Sequence, residues 1–396
     1  MTEVGARPLA APGKRPVHLT RREIHRTFAR EIPFRFTGTA ALTALTATAD
    51  RRSSSSTLPI AYWLLFCAAM VFSMAVIGAI TRLTESGLSM VEWKPLIGIL
   101  PPLSEAEWHR VFDLYKATPE FRINNSWMEL EDFKEIFFWE WFHRLWGQLI
   151  GFVFLIPLLV FWARGQVTRE LRPKLIGLFL LGGLQGVIGW YMVESGLVDQ
   201  PDVSHYRLAL HLGAAILIYA LLVRTVLGLL RPVTPAGRDE RAPGLRLHAR
   251  LALLLVAATI VWGAFVAGTG AGFAYNTFPL MDGHILPPEA GSLSPWWMNP
   301  LENLAAIQFT HRALAIVTAL VVLALWARVR TAKLPGKVGT IASHTAAMVL
   351  IQVALGVATL LSVVWIPVAA AHQAGALLVV TGLVWLLHEL RSAPRT

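Results

Sequence analysis

Eight uninterrupted apolar stretches, each close to the roughly 20 residues that cross a bilayer as a helix, dominate this 396-residue chain. They lie near 58–80, 139–162, 174–192, 207–230, 247–268, 305–329, 338–364 and 367–391. Inside hydrocarbon every backbone N–H and C=O must be satisfied internally, so only helices and closed barrels can span. The runs are continuous and do not alternate every second residue, which excludes a barrel. The expected fold is therefore an all-α polytopic membrane protein. A composition of 55% hydrophobic and 15% charged residues agrees.

Charge sets the orientation. Arg164, Arg169, Arg172 and Lys174 cluster between the second and third stretches, and Arg231, Arg238, Arg241, Arg246 and Arg250 around the junction of the fourth and fifth. Arg328, Arg330, Lys333 and Lys337 do the same between the sixth and seventh. Residues 193–206, 269–304 and 365–371 contain no Lys or Arg, and the 81–138 loop is mixed. The positive-inside rule then places both termini in the cytoplasm, or in the mitochondrial matrix. The net charge of +10 is accounted for by topology, so nucleic-acid binding is not expected.

Residues 1–57 are rich in Arg, Ala, Thr and Ser, and read as a basic, largely disordered tail. Within it, "HLTRREIHRTFAREIPFRF" could lie on anionic lipid as an amphipathic helix, or the whole could serve as a transit peptide. The single cysteine, Cys67, allows no intrachain disulfide and no cysteine-based metal site.

The membrane part is duplicated. "FHRLWG" at 142–147 is echoed by "THRALA" at 310–315, "LQGVIG" at 184–189 by "IQVALG" at 351–356, and "ALHLGAA" at 209–215 by "AAHQAGA" at 370–376. "PLIGILPP" at 95–102 recurs as "PLMDGHILPP" at 279–288. Each half holds four stretches, an even number, so the halves are expected to be parallel repeats. The expected architecture is two pseudo-symmetric four-helix bundles, 58–230 and 247–391. A cytoplasmic linker, 231–246, joins them, and residues 392–396 form a short tail.

The repeat filters the twelve histidines. Only His143, His211, His311 and His372 have counterparts; His344 would align with Gly177 and His388 with Leu227. The four lie near the outward ends of the even-numbered helices, in about their first two turns. Any one of them could be a hydrogen-bonded structural histidine. Two duplicated pairs suit six-coordinate haem iron better, whereas zinc would lack its third and fourth ligands. Gly147, Gly151, Gly189, Gly213, Gly356 and Gly375 read as places where a flat macrocycle, or simply a neighbouring helix, approaches the backbone.

Glu140 lies three residues before His143, about one turn away on the same helix face, and its counterpart is Gln308. The repeat thus keeps its imidazoles in both halves and an acid in only one, as expected of one reactive and one inert site. A scaffold that carries Gln at 308 is expected to accept Gln at 140 without loss of stability. Arg144 and Arg312, each following a histidine, read as snorkelling side chains or as partners for haem propionates.

The segments "GAITRLTESGLSMVEWKPLIGILPP", "FKEIFFWEWFHRLWGQLIG", "AGTGAGFAYNTFPLMDGHILP", "IQFTHR" and "AAHQAGA" resemble the haem A synthase family, over about residues 58–390. The resemblance implies oxidation of the C8 methyl group of haem o to the formyl group of haem a for the terminal oxidases. It implies His143 and His211 as the substrate-haem pair, Glu140 as the catalytic acid, and His311 and His372 as ligands of a cofactor haem b. Some members carry a cysteine pair in an outer loop; this chain does not and resembles the cysteine-free branch. Expected partners are a haem o synthase, the oxidase assembly machinery, an unidentified electron acceptor and further copies of the chain. The expected location is the bacterial cytoplasmic membrane, with the mitochondrial inner membrane as the alternative. The rival readings are a bis-histidine cytochrome b exchanging electrons with quinone, and a parallel-repeat transporter.

Overall fold

A computed structural model of the chain describes residues 38–92, 99–194, 203–231 and 235–391, with side chains from residue 57 onward. The chain divides into two units, Met1–Ser53 and Ser54–Thr396. The expected surface helix and most of the expected tail lie outside the described residues. The backbone is helical from Gly38.

Among the described residues, eight helices are long and apolar enough to cross a membrane. They are α1 (Gly38–Leu83, spanning over Thr57–Leu83), α2 (Leu130–Ala163), α3 (Arg172–Glu194) and α4 (His205–Leu230) in the first half. The second half has α5 (Ala242–Gly268), α6 (Leu304–Ala332), α7 (Val338–Leu361) and α8 (Ile366–Glu389). Among the described residues there is no strand, only an isolated bridge between Met281 and His284. Large apolar side chains such as Phe152, Ile156, Leu180 and Leu254 remain exposed along these helices, as lipid-facing residues should.

Helix α2 starts nine residues before its hydrophobic stretch. The Asp132 carboxylate accepts the Glu129 N–H at 2.9 Å, which satisfies an otherwise orphaned donor at the helix start. Its extra turns carry Phe133, Ile136 and Phe137, which bury against Phe112 and Tyr115 of the preceding segment. That segment contains helices Glu105–Lys116 and Pro119–Ile123, capped by the hydroxyls of Ser104 and Thr118. Apolar spacing in a short amphipathic piece, not a long apolar run, builds this small core, so hydropathy alone does not show it.

Lipid gives helices no hydrophobic reason to associate, so packing and polar contacts must hold them together. One cluster of buried side chains, including Leu64, Leu175, Leu222, Leu325, Ala342 and Leu383, draws on both halves. It extends to Leu171, Leu245, Leu334 and Leu390, beside the arginine-rich junctions. Trp63 and Trp146 donate to the carbonyls of Val153 and Met70 at 2.8 and 3.0 Å, tying α1 to α2. Tyr219 and Thr381 join α4 to α8 at 2.8 Å. At the arginine-rich end, buried Glu389 pairs with Arg231 at 3.0 Å, and His388 Nε2 donates to the Arg231 carbonyl at 2.9 Å. His388, unpaired in the sequence repeat, thus has a structural role.

Candidate functional site

Away from this packed end, the loop-bearing ends of the helices surround a cavity of about 1630 Å³. A single small-molecule site occupies roughly 300–1,000 Å³, so this space can hold more than one large ligand. Its walls include all four duplicated histidines, Glu140, Gln308, Arg144 and Arg312. His143 and His211 are close enough to interact electrostatically, and so are His311 and His372. His211, His311 and His372 fall in the second turns of α4, α6 and α8. His143 lies in the fourth turn of α2, because α2 begins nine residues before its apolar stretch.

Each imidazole rests its Cε1 edge on a glycine of another helix. A Cβ on Gly78 or Gly263 would sit 3.0 Å from Cε1 of His143 or His311, and one on Gly189 or Gly356 would sit 2.9 or 2.8 Å from that of His211 or His372. At 2.8–2.9 Å, a separation real Cβ atoms essentially never show, the His211 or His372 ring would have to shift, and at 3.0 Å the His143 or His311 ring would have to give by a few tenths of an ångström. Two of the six glycines singled out from sequence therefore seat histidines. Of the others, Gly147 meets Met74, Gly375 meets Gln352 and Met348, and Gly151 and Gly213 meet nothing within 4 Å. Gly78 and Gly263 were missed. The signal was there: "VIGA" at 76–79 and "VWGA" at 261–264 are a further repeat anchor.

The Nδ1 atoms are held in three of the four cases. His311 Nδ1 lies 3.1 Å from the Thr259 carbonyl, which requires a proton on Nδ1 and leaves the Nε2 lone pair available to a metal. Gln185 Nε2 lies 3.1 Å from His211 Nδ1 and donates to the His211 carbonyl at 2.9 Å. Gln352 repeats this at His372 with 3.2 and 2.8 Å. Each glutamine NH2 thus donates to a bare Nδ1 and to the backbone carbonyl of the same histidine, while its oxygen stays without a partner among the described residues. His143 Nδ1 is buried and has no partner among the described residues.

Glu140 is 3% exposed. Its Oε2 accepts from Ser89 Oγ and from the Met90 N–H, both at 2.7 Å, and its Oε1 pairs with Arg144. Arg144 also donates to the carbonyls of Met90 and Glu92 at 3.0 and 3.3 Å. Gln308 occupies the same place with reversed polarity. Its amide donates to the carbonyls of Ala271 and Ala274 at 2.6 and 2.5 Å, while its oxygen accepts from Arg312 at 2.8 Å. Around 140 the protein offers donors, and around 308 acceptors. The expectation that Gln would be tolerated silently at 140 is thereby corrected.

The donor set fits haem. Two imidazoles per half within electrostatic reach of each other, glycines behind them and buried orphan atoms on the cavity wall (Gln185 Oε1, Gln352 Oε1 and Arg312 Nε) match a flat, six-coordinate group with polar edges. Among the described residues, no three His, Cys, Asp or Glu side chains cluster as a smaller metal ion would need.

Sequence reasoning also missed Glu120, which lies in the small core before α2 and is 5% exposed. Burial first, then the nearby charges of Glu140 and Glu85, push its carboxyl up to about 8.

A model of the cytochrome oxidase assembly protein family matches residues 61–384. Among relatives, the haem A synthase of Rhodospirillum centenum is 59% identical over 350 residues, 87% of this chain and 92% of the relative. Those of Nitrosospira multiformis and Parvibaculum lavamentivorans are 49% and 47% identical, each over 84% of this chain and 94% of the relative. With a match running through all eight spans and both histidine pairs, the chain belongs to the cytochrome oxidase assembly protein family.

Proposed function

We propose that the chain is a haem A synthase. It takes haem o as substrate and oxidises the C8 methyl group to a formyl group, with water as oxygen source. The observation that carries this reading is the paired asymmetry: equivalent histidine pairs line one cavity, but a buried carboxylate stands beside only one of them. A plain cytochrome b with two equivalent haems has no use for that difference.

His143 and His211 hold the substrate in the first half, and His311 and His372 would hold a resident haem b in the second. Haem b, when bound, supplies a redox centre that accepts electrons and passes them to an external acceptor. Loss of two electrons from the conjugated substrate ring and of one C–H proton from the methyl group makes that carbon electrophilic, and water adds there and gives up a proton to leave the alcohol. A second such two-electron round gives the gem-diol, which loses water to become the formyl group. Glu140 orients the attacking water and accepts its proton. Two of the roughly four lone-pair sites of the carboxylate are engaged at Oε2 and one at Oε1, which leaves acceptor capacity on Oε1. Ser89, Met90 and Arg144 fix the group before substrate arrives, so little reorganisation is needed at the moment of reaction. Arg144 and Arg312 line the cavity as contacts for the propionates. The lysine- and arginine-free loops face outward from a bacterial cytoplasmic membrane, and a haem o synthase and the oxidase assembly machinery are the neighbouring partners.

The test is expression with a haem o source, followed by extraction and chromatography of the haems. Haem a or its hydroxymethyl precursor supports the proposal, and unmodified haem o beside haem b contradicts it.

A further inference from the structure

A formyl group needs two rounds of oxidation on one carbon, and each round loads a water proton onto Glu140. The carboxylate has to be emptied in between. Glu140 is only 3% exposed, and a substrate in the cavity covers what remains. Behind it lies the small core that precedes α2. Met90, whose N–H holds Glu140, and Phe137, one turn before Glu140 on α2, belong both to the cavity wall and to that core.

A second carboxyl is buried in the same segment. Glu120 is 5% exposed, and its Oε2 has no hydrogen-bond partner among the described residues. The Tyr115 hydroxyl bonds to its carboxyl and accepts from Asn125 Nδ2 at 2.8 Å. Burial first, and then the charges of Glu140 and Glu85, keep Glu120 protonated up to about 8, opposed by the Tyr115 bond and by Arg82. The outer water is close, because the neighbouring Arg122, Ile123 and Asn124 are all exposed. The segment is also particular to this half. Residues 103–129 separate the Pro-Pro motif from α2, whereas only 289–303 separate its repeat from α6. Both acids in that shorter stretch, Glu289 and Glu302, are exposed.

We propose that Glu120 is the proton partner of Glu140. When Glu140 takes a proton from the attacking water, Glu120 releases its own to the outer water, then receives the one on Glu140 and so resets the site for the second round. The inference rests on the proposed function and adds the residue that lets one site act twice. The coupling is electrostatic. A charged Glu140 repels charge on Glu120 and keeps it protonated; once Glu140 is neutral, that repulsion is gone and Glu120 ionises. Tyr115, within electrostatic reach of both carboxyls, offers a hydroxyl through which the proton can be handed on. Each cycle moves one proton outward and no electron.

The experiment uses the full chain expressed with a haem o source, with the extracted haems resolved by chromatography. Glu120→Gln keeps the shape of the protonated acid and has no proton to give up. The first round on each new haem should proceed, because water in the open cavity resets Glu140 between substrates. The second should slow by about a hundred-fold, the lower end of what a positioned proton-transfer group contributes. Hydroxymethyl haem then becomes the main modified haem, with haem b content unchanged. Glu120→Asp, which keeps a carboxyl, should restore haem a. A merely structural role would lower both products together. A wild-type ratio of haem a to hydroxymethyl haem in Glu120→Gln, a parallel loss of both, or equal accumulation in the Asp variant would overturn the inference. Failure of the proposed function shows elsewhere, since the wild-type chain itself would then leave haem o unmodified.

Discussion

Replacing Glu140 by Gln isolates the charge of one buried carboxylate, and the structure sets two separate consequences. The first concerns stability. The Gln oxygen can still face Arg144, as it does at 308, but the NH2 then points at Ser89 Oγ and the Met90 N–H. Ser89 can turn its hydroxyl to accept; an amide N–H cannot. A buried donor left without an acceptor costs about 1–3 kcal/mol, so the variant should lose a measurable but not fatal part of its stability. The second consequence concerns rate. Removing a preorganised electrostatic contact from a water-poor site typically costs about 2.7–4 kcal/mol in the barrier, a drop of about a hundred-fold or more. The assay pairs thermal unfolding in detergent with chromatography of the extracted haems. The variant should retain haem b, bind haem o and accumulate almost no haem a. Near wild-type haem a would make Glu140 a structural acid and refute the reasoning. Stability equal to wild type would refute the donor–acceptor argument alone.

Three further outcomes are expected. Gly189→Ala and Gly356→Ala should displace His211 and His372 by tenths of an ångström, beyond the roughly 0.2 Å tolerance of a metal–ligand bond. Each should weaken haem retention in its own half, read by haem content after washing. His311→Ala or His372→Ala should strip most haem b while leaving the helices intact by circular dichroism. Glu120 makes stability depend on pH. Its folded value is raised from 4.5 to about 8, so the stability it confers is complete below about 4.5 and is lost as pH rises through 8. The span is on the order of 4–5 kcal/mol, and Glu120→Gln should flatten the fall in melting temperature between pH 5 and 8.

Much of this was legible in the sequence because lipid is an unforgiving solvent. The eight spans follow from hydropathy alone, and the duplicated motifs separated His143, His211, His311 and His372 from bystanders such as His388. What the sequence hid depends on contacts between distant segments. Glu120 reads as an ordinary loop acid until the fold buries it beside Tyr115, and its burial has no signature in composition. The turn of α2 that carries His143 could not be counted from the apolar run, because α2 begins earlier, in the small core. Gly78 and Gly263 escaped because the loops that follow them differ in length, which shifts the repeat offset. The opposite polarity around Glu140 and Gln308 comes from which backbone groups the loops present, and no side-chain pattern encodes that.

The central claim is that one half of the chain converts haem while the other carries it. The most direct measurement is the haem composition of the purified wild-type chain, by pyridine hemochrome spectra and chromatography after expression with a haem o source. The account predicts haem b together with haem a or its hydroxymethyl precursor, the modified haem disappearing in His211→Ala while haem b remains. Two equivalents of unmodified haem b, or no stoichiometric haem at all, would contradict it.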